Sequence, residues 1–159
     1  MNRADFDARI DRLLLDAETL IPTQALPALP AMEYAPTVPS WYGFEHQLWG
    51  LGEDLRQLIL AEKKDLNAEQ TDRICRLCEN TNAKRGRQSF VLLLGKKRFL
   101  PYADRIAPLL PDADISGQVI STLYKMGAAQ YVDRIKPYTE HRVTWIKNEA
   151  KKYLQKYGA

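Results

Sequence analysis

The residue types that carry most enzyme and metal chemistry are sparse in this chain. Its two cysteines, Cys75 and Cys78, form Cys-Arg-Leu-Cys, and its two histidines are His46 and His141. A structural zinc site needs four ligands. Both histidines lie far from the cysteines in sequence, so core packing is preferred over a metal site. A redox Cys-x-x-Cys motif needs a preceding strand, and no strand pattern precedes this one. Cys78 shares a helix face with Ile74, which suits a core position. His46 follows Glu45, with Asp54 two turns on, a spacing that could serve acid–base work. It stands off the apolar stripe of its helix, with no nucleophile or second base beside it, so a surface histidine is expected. These residues predict a non-enzymatic protein with no catalytic residue, no metal and no cofactor.

The basic residues say more. Residues 1–80 hold 8 Lys/Arg against 14 Asp/Glu, and residues 81–159 hold 15 against 6. Within the basic half the charges cluster. Lys84, Arg85 and Arg87 come first, expected to open a helix. Lys96, Lys97 and Arg98 fill a loop. Arg142, Lys147, Lys151, Lys152 and Lys156 lie on the last expected helix. Such a stripe fits an acidic protein or a nucleic acid, and a solvated lysine-rich face is the plain alternative. Trp145 sits off the apolar stripe of Val143, Ile146, Ala150, Tyr153, Leu154 and Tyr157. It is a candidate interface anchor, or it packs on the preceding hairpin. Trp41, Tyr42 and Trp49 form a second aromatic group, expected to pack in a core.

The elements that must position these residues are helices. No segment alternates apolar and polar residues with a β-rich composition, so no sheet is expected. A chain of 159 residues is expected to form one domain with its own core. Phe6, Ile10, Leu13, Ala17, Leu20 and Ile21 predict a helix over 4–21, stopped by Pro22. Residues 22–39 hold Pro22, Pro27, Pro30, Pro36 and Pro39, too many for a helix. Leu26, Leu29, Met32 and Tyr34 make this an arm lying against the helices, with a mobile linker as the alternative. Ser40 is the expected N-cap of a helix to about Lys63, whose stripe is Phe44, Leu48, Leu51, Leu55 and Leu58. Tyr42, Trp49 and Leu60 fall on another side. Gly50 and Gly52 allow a close backbone approach or a kink. Further helices are expected at 67–79, 84–94, 101–110, 115–126, 129–137 and 141–157. No apolar run is long enough to span a membrane. Residues 1–16 lack the pattern of a secretory signal, and cysteine usage predicts a cytoplasmic, reduced protein.

Asp-Arg-Ile occurs at Asp72-Arg73-Ile74, Asp104-Arg105-Ile106 and Asp133-Arg134-Ile135. Gly95, Gly127 and Gly158 follow in step, each with an apolar residue four positions earlier (Val91, Leu123, Leu154). Each glycine is expected to be a left-handed cap closing the second helix of a hairpin. Pro108 and Pro137 repeat with the second and third copies. A period near 30 residues signifies stacked helical hairpins.

Over about residues 67–159 this pattern resembles the HEAT repeat family. The clearest copy is ADRIAPLLPDADISGQVISTLYKMG, residues 103–127. The last keeps Pro137, Ile146-Lys147, Ala150, Leu154 and Gly158 but has Tyr138-Thr139 in place of Leu-Leu. The first lacks the proline. The resemblance implies an all-α, right-handed α-α solenoid: three HEAT-like hairpins at 67–159 behind an N-terminal helical pair at 1–66 with its Pro-rich arm. Some HEAT-repeat enzymes hold a di-iron centre through His-Glu dipeptides, and none occurs here. Others excise alkylated bases or attach bilins, and no matching pocket is identifiable. The expected function is protein binding. Its most concrete form is a small cytoplasmic inhibitor, such as an immunity protein neutralising a cognate toxin. A nucleic-acid-binding repeat protein is the alternative, and an enzyme on this scaffold the third. No membrane partner is expected, and the oligomeric state is left open.

Overall fold

In the computed structural model the described residues are 1–31, 33–35 and 38–158. Met32 and Pro36 of the arm lie outside them. The described chain is all-helical, without a strand. Its helices are α1 (Arg3–Leu20), α2 (Gly43–Glu62), α3 (Ala68–Glu79), α4 (Gln88–Leu93), α5 (Ala103–Ile106), α6 (Ser116–Met126), α7 (Val132–Ile135) and α8 (Thr144–Tyr157). Short 3-10 segments join several of them. No helix among the described residues is long and apolar enough to cross a membrane. The chain forms two compact units, Met1–Phe90 and Val91–Ala159.

In the first unit α1 packs on α2 and α3. Phe6, Ile10, Leu14 and Ala17 of α1 are buried, as are Leu48, Leu55 and Leu58 of α2 and Ile74, Cys75 and Cys78 of α3. The cysteines are therefore core residues. Helix α1 starts because the Asn2 side chain accepts a hydrogen bond from the Asp5 backbone N–H. Helix α2 starts later than expected. Ser40 does not cap it, because its hydroxyl donates to the Pro30 carbonyl at 2.7 Å. The cap position falls at Tyr42, whose backbone N–H donates to the Glu45 carboxylate at 2.7 Å. The arm is pinned at further points: the Tyr42 hydroxyl donates to Pro27 and the Asn82 amide to Pro22. Over 22–30 it thus lies against the helices. Gly52 is required where α2 meets Ser89, since a Cβ there would come within 2.0 Å of the Ser89 Oγ.

In the second unit the first helix of each hairpin is composite. Lys97–Tyr102, α5 and Ala107–Leu109 are 3-10, α and 3-10 in turn, and Ala129–Tyr131, α7 and Lys136–Glu140 repeat the pattern. Pro108 and Pro137 each fall near the start of the trailing 3-10 segment, where a missing N–H costs least. Ile106 and Ile135 are fully buried, which explains the recurring isoleucine.

Helices α6 and α8 lie side by side and point the same way. Gly117 faces Trp145 and Ile146, while the Tyr157 hydroxyl donates to the Tyr124 carbonyl at 3.0 Å. Residues about one repeat apart are tied together by hydrogen bonds. Thr122 Oγ1 donates to Val91 O at 2.9 Å, the Tyr138 hydroxyl to Leu110 O at 2.9 Å, and the Tyr131 hydroxyl to Asp104. Their sequence separations of 31, 28 and 27 residues lie near the repeat period but one or two positions out of register with the Asp-Arg-Ile and glycine repeats.

Three expectations are corrected here. Of the three glycines, only Gly127 takes the left-handed cap, at φ 79°. At Gly95 the α4 end tightens instead, through Gly95 N–H to Leu92 O, and Gly158 caps α8 at φ −88°. The helix expected at 84–94 begins only at Gln88, because Lys84 has φ 50° and ψ −135° inside the preceding 3-10 turn. The last helix begins at Thr144, because the Val143 N–H donates to His141 Nδ1 at 3.0 Å and holds 141–143 outside it.

Candidate interaction surface

The first basic cluster lies in the N-terminal unit, on the 3-10 segment Thr81–Arg87. Arg87 is a correction to the expected surface. It is fully buried, with Nε donating to Lys84 O at 2.7 Å and Nη1 to Cys78 O at 3.1 Å. Its guanidinium holds the turn closed, and it is not available to a partner. Arg85 is half-buried, and its backbone N–H donates to the buried Glu45 carboxylate at 2.9 Å. One carboxylate thereby fastens both the α2 start and this turn. Gly86 lies against Leu48, where a Cβ would come within 2.7 Å of a Leu48 methyl. The Lys84 ammonium lies over an aromatic face, 6.0 Å from the Tyr42 ring centroid. Trp41 stacks on the exposed ring of His46 at 5.0 Å. Trp49 keeps 39% of its surface exposed, so the expected aromatic core does not form around it.

The other candidates lie in the C-terminal unit, which carries 12 Lys/Arg against 6 Asp/Glu. Lys96, Lys97 and Arg98 are exposed, with the Arg98 guanidinium 4.5 Å from the Phe99 ring centroid. The Lys125 side chain lies against Gly95, one residue before Lys96. Arg142 is exposed in the turn before α8, and Lys147 is half-buried. Lys151 and Lys152 are exposed on α8. Lys152 does not stand alone: its Nζ is 4.8 Å and that of Lys156 5.0 Å from the Tyr124 ring centroid. Lys156 is also 5.3 Å from the Tyr157 ring, which meets Tyr124 edge-on. None of Lys96, Lys97, Lys125, Lys151, Lys152 and Lys156 enters an ion pair among the described residues.

Trp145 packs on the preceding hairpin and remains half-exposed. Its six-membered ring sits over Gly117, where a Cβ would come within 2.2 Å, yet 47% of the residue stays exposed. The sequence reading missed Gly117, Tyr124 and Lys125. The available signal was the period itself, since Tyr124 and Lys125 stand in the same register to Gly127 as Gln155 and Lys156 do to Gly158.

Beside this surface is a buried tyrosine network. The Tyr153 hydroxyl donates to Ala128 O and accepts from the Tyr131 N–H. Burial, reinforced by the Asp104 carboxylate that accepts its hydrogen bond, pushes the Tyr131 phenol up to about 12. Burial also raises Tyr138 and Tyr153. Among the described residues no group of three or more His, Cys, Asp and Glu side chains is placed to hold a metal ion. The second unit has one shallow cleft of note, lined by Ala107, Pro108, Leu110, Pro111, Arg134 and Tyr138. Comparisons with protein-family models, curated proteins and solved structures found no match.

Proposed function

We propose that the protein is a non-enzymatic binding module that contacts another protein through HEAT-like hairpins. Its most concrete form is an inhibitor of the immunity-protein kind, neutralising a toxin. The observation that carries the reading is the set of hydrogen bonds between successive hairpins, joining residues about one repeat apart, with α6 and α8 parallel. That arrangement is what stacked HEAT-like hairpins require, and stacking them in a right-handed solenoid yields an extended surface. Upon it sit unpaired lysines and a half-exposed tryptophan, the residue kinds that steer and anchor a partner. The partner-facing residues are Lys96, Lys97, Arg98, Arg142, Trp145, Lys147, Lys151 and Lys152, with Lys84 and Arg85 in the N-terminal unit. A cytoplasmic setting suits this role.

Nucleic-acid binding is the second reading, favoured by the same excess of lysine. The two separate cleanly. Capture from a native cell extract by the tagged chain, with and without nuclease, should retain one stoichiometric protein after nuclease. Recovery of nucleic acid, with protein lost on digestion, sinks the protein-binding reading.

A further inference from the structure

We propose that the stripe Trp145, Lys152 and Lys156 of α8, together with Tyr124 of α6, is a docking ridge for an acidic segment of a partner protein. The ridge rests on the protein-binding reading above. With about 3.6 residues per turn, these three α8 positions fall within about 20° of one line along the helix. Trp145 heads the line, seated on Gly117 and half-exposed. Two turns further, two ammonium groups converge on one aromatic ring, at 4.8 and 5.0 Å from its centroid.

That convergence needs an explanation. The helix dipole favours a cation in the last turn, which suits Lys156, but its effect fades within a turn and does not reach Lys152. Cation–π attraction holds each lysine to the ring, while the two like charges repel. A carboxylate is the natural counter-charge, and α8 has one acidic residue, Glu149. Among the described residues its buried Oε2 has no hydrogen-bond partner, and it pairs with neither lysine. Among the described residues neither lysine enters an ion pair, which leaves the cation pair open to a carboxylate from a partner.

The chemistry favours carboxylates on a protein over nucleic acid. Base stacking needs an open aromatic face, and the Tyr124 ring already carries two ammonium groups and a T-shaped contact with Tyr157. The pair also lacks the guanidinium fork that grips phosphate with two bonds. An aromatic anchor beside a cation pair matches the composition of protein interfaces.

The full-length chain is titrated with two labelled probes at low salt, a poly-L-aspartate peptide and an oligothymidylate of matched charge, read by fluorescence anisotropy. Poly-aspartate binding should weaken about tenfold in Lys152→Glu/Lys156→Glu. In Arg9→Glu/Lys63→Glu, an equal charge reversal at exposed positions elsewhere, it should change less than about twofold. Circular dichroism establishes that both variants remain folded. Equal losses in the two variants overturn the ridge, as does oligothymidylate binding more tightly than poly-aspartate through the same lysines. The capture experiment separates the ridge from the reading beneath it. If the wild type retains a stoichiometric partner and both Lys152→Glu/Lys156→Glu and Trp145→Ala retain as much, the ridge is wrong while protein binding stands. If the wild type retains none, protein binding fails and the ridge falls with it.

Discussion

Tyr131 is held from three directions: its hydroxyl donates to Asp104, its backbone N–H donates to Tyr153, and the Arg134 guanidinium lies 5.6 Å from its ring centroid. All these groups belong to the second unit, and they join its two hairpins. The phenol has a folded pKa of about 12, above its ordinary value near 10, so folding favours the protonated form. The resulting stability is complete below about pH 10 and is lost as pH rises through about 12, on the order of 2 kcal/mol in all. Chemical denaturation at stepped pH should show that decline, and Tyr131→Phe should be less stable at neutral pH by about 1 kcal/mol with a flatter alkaline limb. An unchanged alkaline limb would remove Tyr131 as its source. Gly117 offers a second residue-scale test. Alanine there collides with Trp145 and Ile146, at a typical cost of about 1–3 kcal/mol. The better helix propensity of alanine returns up to about 1 kcal/mol. In a Trp145→Ala background the larger part of the collision disappears. The substitution should then cost about 1 kcal/mol less than in the wild type, a coupling that a double-mutant cycle measures directly.

The turn Thr81–Arg87 is the element whose shape sequence reasoning did not reach. Helical spacing alone extends the next helix back to Lys84, since nothing local forbids it. What forbids it is tertiary. Arg87 folds inward onto two carbonyls, the Glu45 carboxylate takes the Arg85 N–H, and Gly86 is drawn against Leu48. Lys84 is left in a backbone conformation that side-chain-bearing residues seldom adopt. Such strain costs about 1–3 kcal/mol, against an entropic penalty for glycine of about 0.5–1 kcal/mol. Lys84→Gly should therefore stabilise the protein by about 1 kcal/mol in thermal or urea unfolding. Arg87→Met strips the buried Cys78 carbonyl and the half-buried Lys84 carbonyl of this donor and should destabilise it by about 2–4 kcal/mol. The hairpins of the second unit were legible for the opposite reason. Their signals are periodic and local: isoleucine in the core, a proline at a 3-10 start, an apolar stripe. Only one of three glycines took its expected cap, because a helix end can also close through a tightened turn, as at Gly95. Lysine clustering was visible in the sequence, but the Tyr124 ring that gathers Lys152 and Lys156 was not. That meeting joins residues about 30 apart through packing.

At the scale of the whole chain, charge separates along the sequence while apolar residues do not. The second unit carries twice as many basic as acidic residues, and the six lysines named above enter no ion pair among the described residues. Unpaired surface charge contributes little to stability, since even paired surface charges are worth at most about 1 kcal/mol. It acts instead on encounter with a partner. A field from exposed lysines raises the association rate with an acidic surface and is screened beyond about 10 Å at 0.1 M salt. Dissociation depends on the desolvated contact, which the proposed docking ridge centres on Trp145. Salt and mutation should thus act on different rate constants. Raising salt from about 0.05 to 0.5 M should slow association with the captured partner by about tenfold or more while leaving dissociation within about twofold. Trp145→Ala should do the reverse, accelerating dissociation by about tenfold with association nearly unchanged. Surface plasmon resonance resolves both. Binding whose association and dissociation are equally indifferent to salt would show that the lysines face solvent and that the charge asymmetry plays no part in recognition.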